Sequence, residues 1–381
     1  MLKRYAKWQL GKWWPLILVL FLFYSLPFVT ILQGASLTVA PPYRFYSGTI
    51  EAAYSLLLTA CLVSTFVLPP FIFAYRDSIN GADCLYQGAY SHKTLRKTRV
   101  LLGLAILAMA FTAAYFFGVF VLGIRYLAIP ETRVVGETTY TRITIYFGYV
   151  FVAYFGILAI IAAQYFINCF FASLGNSTLV QLMLMACGAA ILSLALSAPI
   201  AYISQMARFA GNQDASTANA GLFIYGPIAS GLAAYEFLVE PIRAGSYEWG
   251  TSTAGRLSEF IIGLALGCGA FAAMWFMKEP SGEFAGKWRP RHWVITMIPH
   301  VAALLIGIIL CTFAGGNIGA TIIGGYTMMV FFDGTYFCLL ALMRRSFRMK
   351  RIDLIAFLVV AILMIFLCTG MSVSARDAYF Y

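Results

Sequence analysis

Long apolar runs alternate with short loops along this chain, and Lys and Arg fall almost entirely on alternate loops. A backbone buried in lipid must satisfy its own N–H and C=O groups, which leaves transmembrane helices or a closed barrel as the possible spanning structures. The runs here stay apolar over windows of about 20 residues, enough to cross a hydrocarbon core about 30 Å thick, whereas barrel strands alternate in segments of about 10 residues. The fold class is therefore all-α, in a polytopic membrane protein. With 61% hydrophobic and 11% charged residues and a mean hydropathy of +0.83, the chain has too few charges to cover a soluble domain.

Nine transmembrane helices are expected, near residues 15–33, 52–75, 100–124, 145–171, 178–205, 257–277, 294–313, 319–342 and 354–373. A further apolar run, Ala218 to Val239, is long enough to span but is broken by Gly226 and Pro227 and contains Glu236. Loop charge decides its state, because Lys and Arg concentrate on the cytosolic side. If the run does not span and the N-terminus is inside, the inner loops hold 18 Lys and Arg and the outer segments 8. If it spans, the division becomes 12 inside and 14 outside. Segment 206–256 is thus read as an external re-entrant or surface-lying element between helices five and six. Lys3, Arg4, Lys7 and Lys12 before an apolar run also describe a signal peptide, but Thr38-Val39-Ala40 is followed by Pro41 and Pro42. Proline there opposes cleavage, so the first helix is expected to be retained.

The chemistry-bearing residues are sparse. Of eight cysteines, only Cys84 falls in a loop; the spacing C-x-x-C does not occur, and free thiols without a metal site are expected. The net charge of +11 maps to the inner loops, where it serves topology and anionic lipid rather than nucleic acid. His92 and His292 lie in inner loops, His300 enters a span, and neither H-E-x-x-H nor G-x-S-x-G occurs. No enzymatic activity is expected from this set. Asp333 is the one acid well inside an expected span, where an ionisable group is costly and implies a polar pathway or a bonded partner such as Tyr326 or Thr335. Gly282 to Lys287 approaches a phosphate-binding loop but has three residues between its glycines, and Trp288 stands where a Ser or Thr would hold magnesium. Any ATP hydrolysis that drives this chain is expected on a separate polypeptide.

Residues 76–99 form the longest inner loop, carrying Arg76, Asp77, Asp83, His92, Lys93, Arg96, Lys97 and Arg99. Its start, Tyr75 to Leu85, is expected to form a short helix capped by Asp77 or Ser78. The inner turn Ala172 to Ser177 is tight, and its Gly175-Asn176 pair suits a turn.

The stretch from Tyr75 to Leu85 with Asp83, the inner turn Leu174-Gly175-Asn176 followed by Gln181, the segment Glu279 to Lys287 and the basic turn Arg344 to Arg348 resemble motifs of one family. The chain resembles the permease subunits of ABC-2 type exporters from Gram-positive bacteria whose ATPase is a separate chain. It departs from the pattern at Gly88-Ala89, where a Leu-Pro turn is usual, and before Glu283, where a leading Arg is missing. The resemblance implies a six-helix permease core over 1–277 and a C-terminal extension over 278–381 with three further spans. It also implies that Asp77, Asp83, Arg96 and Lys97 meet the ATPase, and that Pro227, Glu236 and Glu240 contribute to an external gate. ATP and Mg would bind the partner subunit, with none in this chain. A second permease chain, identical or different, would complete the pathway in a bacterial cell membrane. Two alternatives from other classes are a secondary transporter using Asp333 and a membrane sensor or immunity protein for a peptide or antibiotic.

Overall fold

Helices account for nearly all of the residues that a computed structural model describes, namely 2–34, 38–39, 48–77, 92–128, 131–135, 138–142, 147–189, 191–192, 251–277 and single positions between 327 and 366. They are α1 (Leu2–Gly34), α2 (Gly48–Phe73), α3 (His92–Ala128), α4 (Phe147–Leu174), α5 (Thr178–Ala189) and α6 (Thr251–Phe276). The chain divides into one unit of Met1–Leu182 with Ser230–Lys287, and another of Met183–Ala229 with Trp288–Tyr381.

Four stretches are long and apolar enough to cross a membrane: Gln9–Val29, Ala53–Arg76, Thr94–Ala128 and Gly148–Leu174. They coincide with the first four expected spans. Thr178–Ala189 and Phe260–Phe276 add shorter apolar helices where the fifth and sixth spans are expected. The expected spans near 294–313 and 319–342, apart from Thr327 and Gly334, and the broken run 218–239 lie outside the described residues. In the second unit Arg351, Leu354, Ile355, Leu358, Val359, Ile362, Leu363 and Phe366 are helical and exposed. Their spacing of three and one traces a single face of the last expected span.

One boundary differs from expectation. Residues 92–99, read as the end of a loop, continue α3, because Lys and Arg are good helix formers and no Gly or Pro intervenes before Val100. At 37 residues α3 is about 55 Å long, well beyond a hydrocarbon core of about 30 Å. Just beyond α2 a single 3-10 turn, Ala74–Arg76, leads into Asp77; from Ser78 onward the short helix expected over Tyr75 to Leu85 lies outside the described residues.

α2 lies at the centre of the first unit, packed against α1, α3 and α4, while α1 also packs on α3 and α6 docks on α4. The polarity is that of a membrane bundle. Large apolar side chains such as Leu22, Val63, Phe71, Phe120 and Phe155 point outward, and polar Thr65, Gln164 and Asn168 are buried. Pro69 lacks the N–H that would bond the carbonyl of Thr65 one turn earlier. The Asn168 amide of α4 donates to that carbonyl at 3.1 Å and to the Thr65 hydroxyl oxygen at 3.2 Å. A proline inside a lipid-embedded helix is thus accommodated by a neighbouring helix. Nearer the other end, Tyr54, Phe111, Tyr115 and Tyr154 join α2, α3 and α4 in one aromatic cluster. Tyr115 donates to the Val150 carbonyl at 2.7 Å.

A small antiparallel sheet, absent from the sequence reading, closes that end. It pairs β1 (Thr38–Val39), β2 (Thr132–Val135) and β3 (Thr138–Arg142) in the order β1-β3-β2. Thr38 faces Arg142, and Val135 faces Thr138 across a two-residue connection. The segments after α1 and after α3 are thereby joined at the end opposite the Arg76 and Arg96 side chains.

Candidate functional site

The basic end of the first unit is built from helix termini. The last carbonyls of an α-helix have no partner inside the helix and carry the negative end of its dipole. Three arginines supply partners to three such ends. Arg76, in the 3-10 turn after α2, donates through Nη1 to the Ser173 carbonyl at 2.9 Å and the Gly175 carbonyl at 3.4 Å, at the end of α4. Arg96 of α3 donates through Nη2 to the Met274 and Met277 carbonyls at 2.6 and 2.7 Å, at the end of α6. Arg99 donates to the Ile72 carbonyl at 3.0 Å, in the last turn of α2. All three are buried, Arg76 and Arg96 at 2% exposure.

Aromatic rings enclose the cations. The Arg99 and Arg76 guanidinium carbons lie 4.6 and 5.6 Å from the centre of the Tyr75 ring, and Arg76 also lies 4.8 Å from Phe73. Lys97 Nζ sits 2.7 Å above the Trp275 ring. Such contacts strengthen as the cation loses water.

Among the described residues the one acid in this cluster, Asp77, caps a helix start. Asp77 Oδ1 accepts the Thr178 backbone N–H at 2.6 Å, and Oδ2 accepts the Thr178 hydroxyl at 2.5 Å. A carboxylate at a helix N-terminus meets free N–H groups and the positive end of the dipole. Asp77 or Ser78 was expected to cap the segment that follows, which lies outside the described residues. The Asp77 backbone N–H closes the 3-10 turn on the Ala74 carbonyl at 3.0 Å, and its side chain caps α5, a hundred residues away in sequence. The adjacent residues Arg76 and Asp77 therefore grip the α4–α5 turn on both sides. Within that turn Gly175 is required by space: a Cβ there would lie 2.9 Å from Gln181 Cγ and Gln181 N. Asn176 is buried beside it.

The structure thus joins Asp77 to the turn that holds Gly175 and Asn176, two segments that the sequence kept as separate loops, and sets Arg96 and Lys97 on the end of α6. Arg96 is buried, with its guanidinium bonded to the end of α6. Asp83, Pro227, Glu236, Glu240 and Asp333 lie outside the described residues. Arg76, Arg99, Thr178 and Gln181 join the site although the sequence reading gave them no individual role. Gln181 had figured only as part of the inner-turn motif, and for Arg76 and Arg99 nothing in the sequence said which helix each would cap. Among the described residues no group of three or more His, Cys, Asp or Glu could hold a metal ion.

No family model, no curated protein and no solved structure matches this chain. What the apolar helices support is an integral, multi-pass membrane protein.

Proposed function

We propose that this chain is the membrane-spanning permease subunit of an ATP-driven ABC-2 type exporter in a bacterial cell membrane, coupled to a separate ATPase that holds ATP and Mg. The observation that carries the reading is the junction at the basic end. Residues 78–91 are flanked by Arg76 and Asp77 on one side and by Arg96, Lys97 and Arg99 on the other, and those flanks are bonded to the ends of α2, α4, α5 and α6. A push on that segment would reach four helices at once, which is what an externally driven transporter needs and an independent connector does not. In this reading Asp83 meets the ATPase, while Asp77, Arg96 and Lys97 transmit the displacement inward. The N-terminus is inside, nine helices span, and segment 206–256 is external, with Pro227, Glu236 and Glu240 near the outer gate. A second permease chain faces this one across the pathway.

Purification of the tagged chain from its native membrane in mild detergent tests this directly. A P-loop ATPase recovered in stoichiometric amount, and lost or uncoupled with Asp83→Lys while membrane insertion is unchanged, is the expected result. A preparation without any ATPase, under conditions that preserve known complexes, would exclude the exporter and turn attention to Asp333 and ion-driven transport.

A further inference from the structure

At the α4–α5 turn the chain keeps polar atoms that this arrangement leaves unbonded. Gln181 is fully buried, at 0% exposure, and neither its Nε2 nor its Oε1 has a hydrogen-bond partner within the protein. The Ser177 hydroxyl, one turn earlier, is likewise buried without a partner. Each such atom raises the free energy of the folded chain, and an apolar residue of similar size would avoid that cost. The close approach to Gly175 does not call for an amide: a Cβ built there would meet the Cγ, Cα and backbone N of Gln181, atoms whose counterparts a Leu or Met would keep.

The bonds that fix the turn are of unequal kinds. Arg76 holds the Ser173 and Gly175 carbonyls from a buried position. Asp77, exposed, holds the Thr178 N–H and hydroxyl where water competes for both. One segment thus grips the end of α4 by an enclosed bond and the start of α5 by a releasable one.

We propose that the α4–α5 turn is a two-state joint, in which release of Thr178 from Asp77 lets the first turn of α5 shift on α4 and gives the Gln181 amide the partners it lacks here. The bonds lost at Asp77 are then offset by bonds gained at Gln181, so that the two states lie close in free energy, as a switch requires. The inference rests on the exporter reading only for what drives the joint, a displacement arriving through residues 78–91. The existence of two states belongs to the chain itself.

Spin labels at Ala74→Cys and Leu179→Cys, both at exposed positions, in a full chain whose native cysteines are replaced, report the distance across the joint. Two distances are expected in the otherwise native sequence. Gln181→Leu should collapse them to one and raise the melting temperature by about 2–4 °C, whereas Asp77→Ala should favour the other distance. Gln181→Met serves the same purpose should the leucine variant fail to fold. A single distance unchanged by either substitution overturns the joint, because the amide is then a static defect. A lowered melting temperature with both Gln181→Leu and Gln181→Met also overturns it, because the amide is then bonded to ordered water in the resting state. Two distances in a preparation without an ATPase would leave the joint standing and remove the exporter reading. A stoichiometric ATPase with one distance in every nucleotide state would do the reverse.

Discussion

Arg76 shows what a single side chain contributes at a crowded helix end. Its guanidinium is buried, donates to two carbonyls at the end of α4 and lies against Phe73 and Tyr75. Truncation to alanine leaves the Ser173 and Gly175 carbonyls without their donor and opens a cavity beneath the rings. Each part carries a penalty, and the hydrogen bonds alone are worth about 2–3 kcal/mol when the donor is charged. Lysine restores the charge but not the planar fork that reaches two acceptors. Arg76→Ala should therefore lower the unfolding free energy in detergent by at least about 2 kcal/mol, with Arg76→Lys recovering less than half. Equal stability of the three proteins would mean that the bonds to α4 do not hold in the membrane protein as it exists. This residue also marks the limit of what the sequence discloses. A basic residue just past an apolar run reads as a topology signal, and that reading is compatible with its position at the charged end. Its partners are 97 and 99 residues away, and no local pattern encodes a cap supplied to a different helix.

At the scale of the helix, small residues decide how closely elements approach. α6 meets α4 along a narrow seam in which Gly267 is buried and Phe271 lies 4.7 Å from Phe166, ring centre to ring centre. A Cβ at Gly267 would lie 2.5 Å from the Cα of Ala163, and backbone cannot move aside as a side chain can. Without water to drive helices together, such close contact is a main source of association in the membrane. Gly269, on the same helix, is exposed, with no described atom within 4 Å of its would-be Cβ. Gly267→Ala should therefore weaken the α4–α6 contact, whereas Gly269→Ala should be neutral or stabilise by up to about 1 kcal/mol through helix propensity alone. Thermal unfolding of the two variants distinguishes the sites, and similar behaviour would show that α6 is not packed at Gly267. The long apolar helices were legible because their signal is a continuous run, visible without any neighbour. The seam was not, since glycine inside an apolar run reads equally as a flexible point, a packing point or a chance residue. The sheet was missed for a different reason. Thr132 to Arg142 carries Thr- and Val-rich segments on either side of Gly136-Glu137, a recognisable hairpin pattern, but a reading organised around membrane spans treats every short polar connection as a loop.

The whole first unit has two chemically distinct ends, and their separation makes the membrane placement testable. Arg76, Arg96 and Arg99 gather at one end around the termini of α2, α4 and α6; the sheet formed by β1, β2 and β3 lies at the other. Between them α3 runs for 37 residues, a length of about 55 Å that leaves both ends outside a hydrocarbon core of about 30 Å. The outward faces of the helices are apolar and the polar side chains of Thr65, Gln164 and Asn168 are inside, so lipid is the solvent that fits the middle. With the basic end cytosolic, as loop charge predicts, a cysteine at Val134 in β2, a residue 68% exposed, should react with a membrane-impermeant maleimide added to intact cells. A cysteine at Asp77 should react only after the membrane is permeabilised. The reverse pattern would keep the four spans and invert the chain, which would remove the cytosolic contact on which ATP-driven coupling depends. Labelling of both positions from the same side would go further, because α3 could not then cross between them, and the four-helix bundle itself would have to be redrawn.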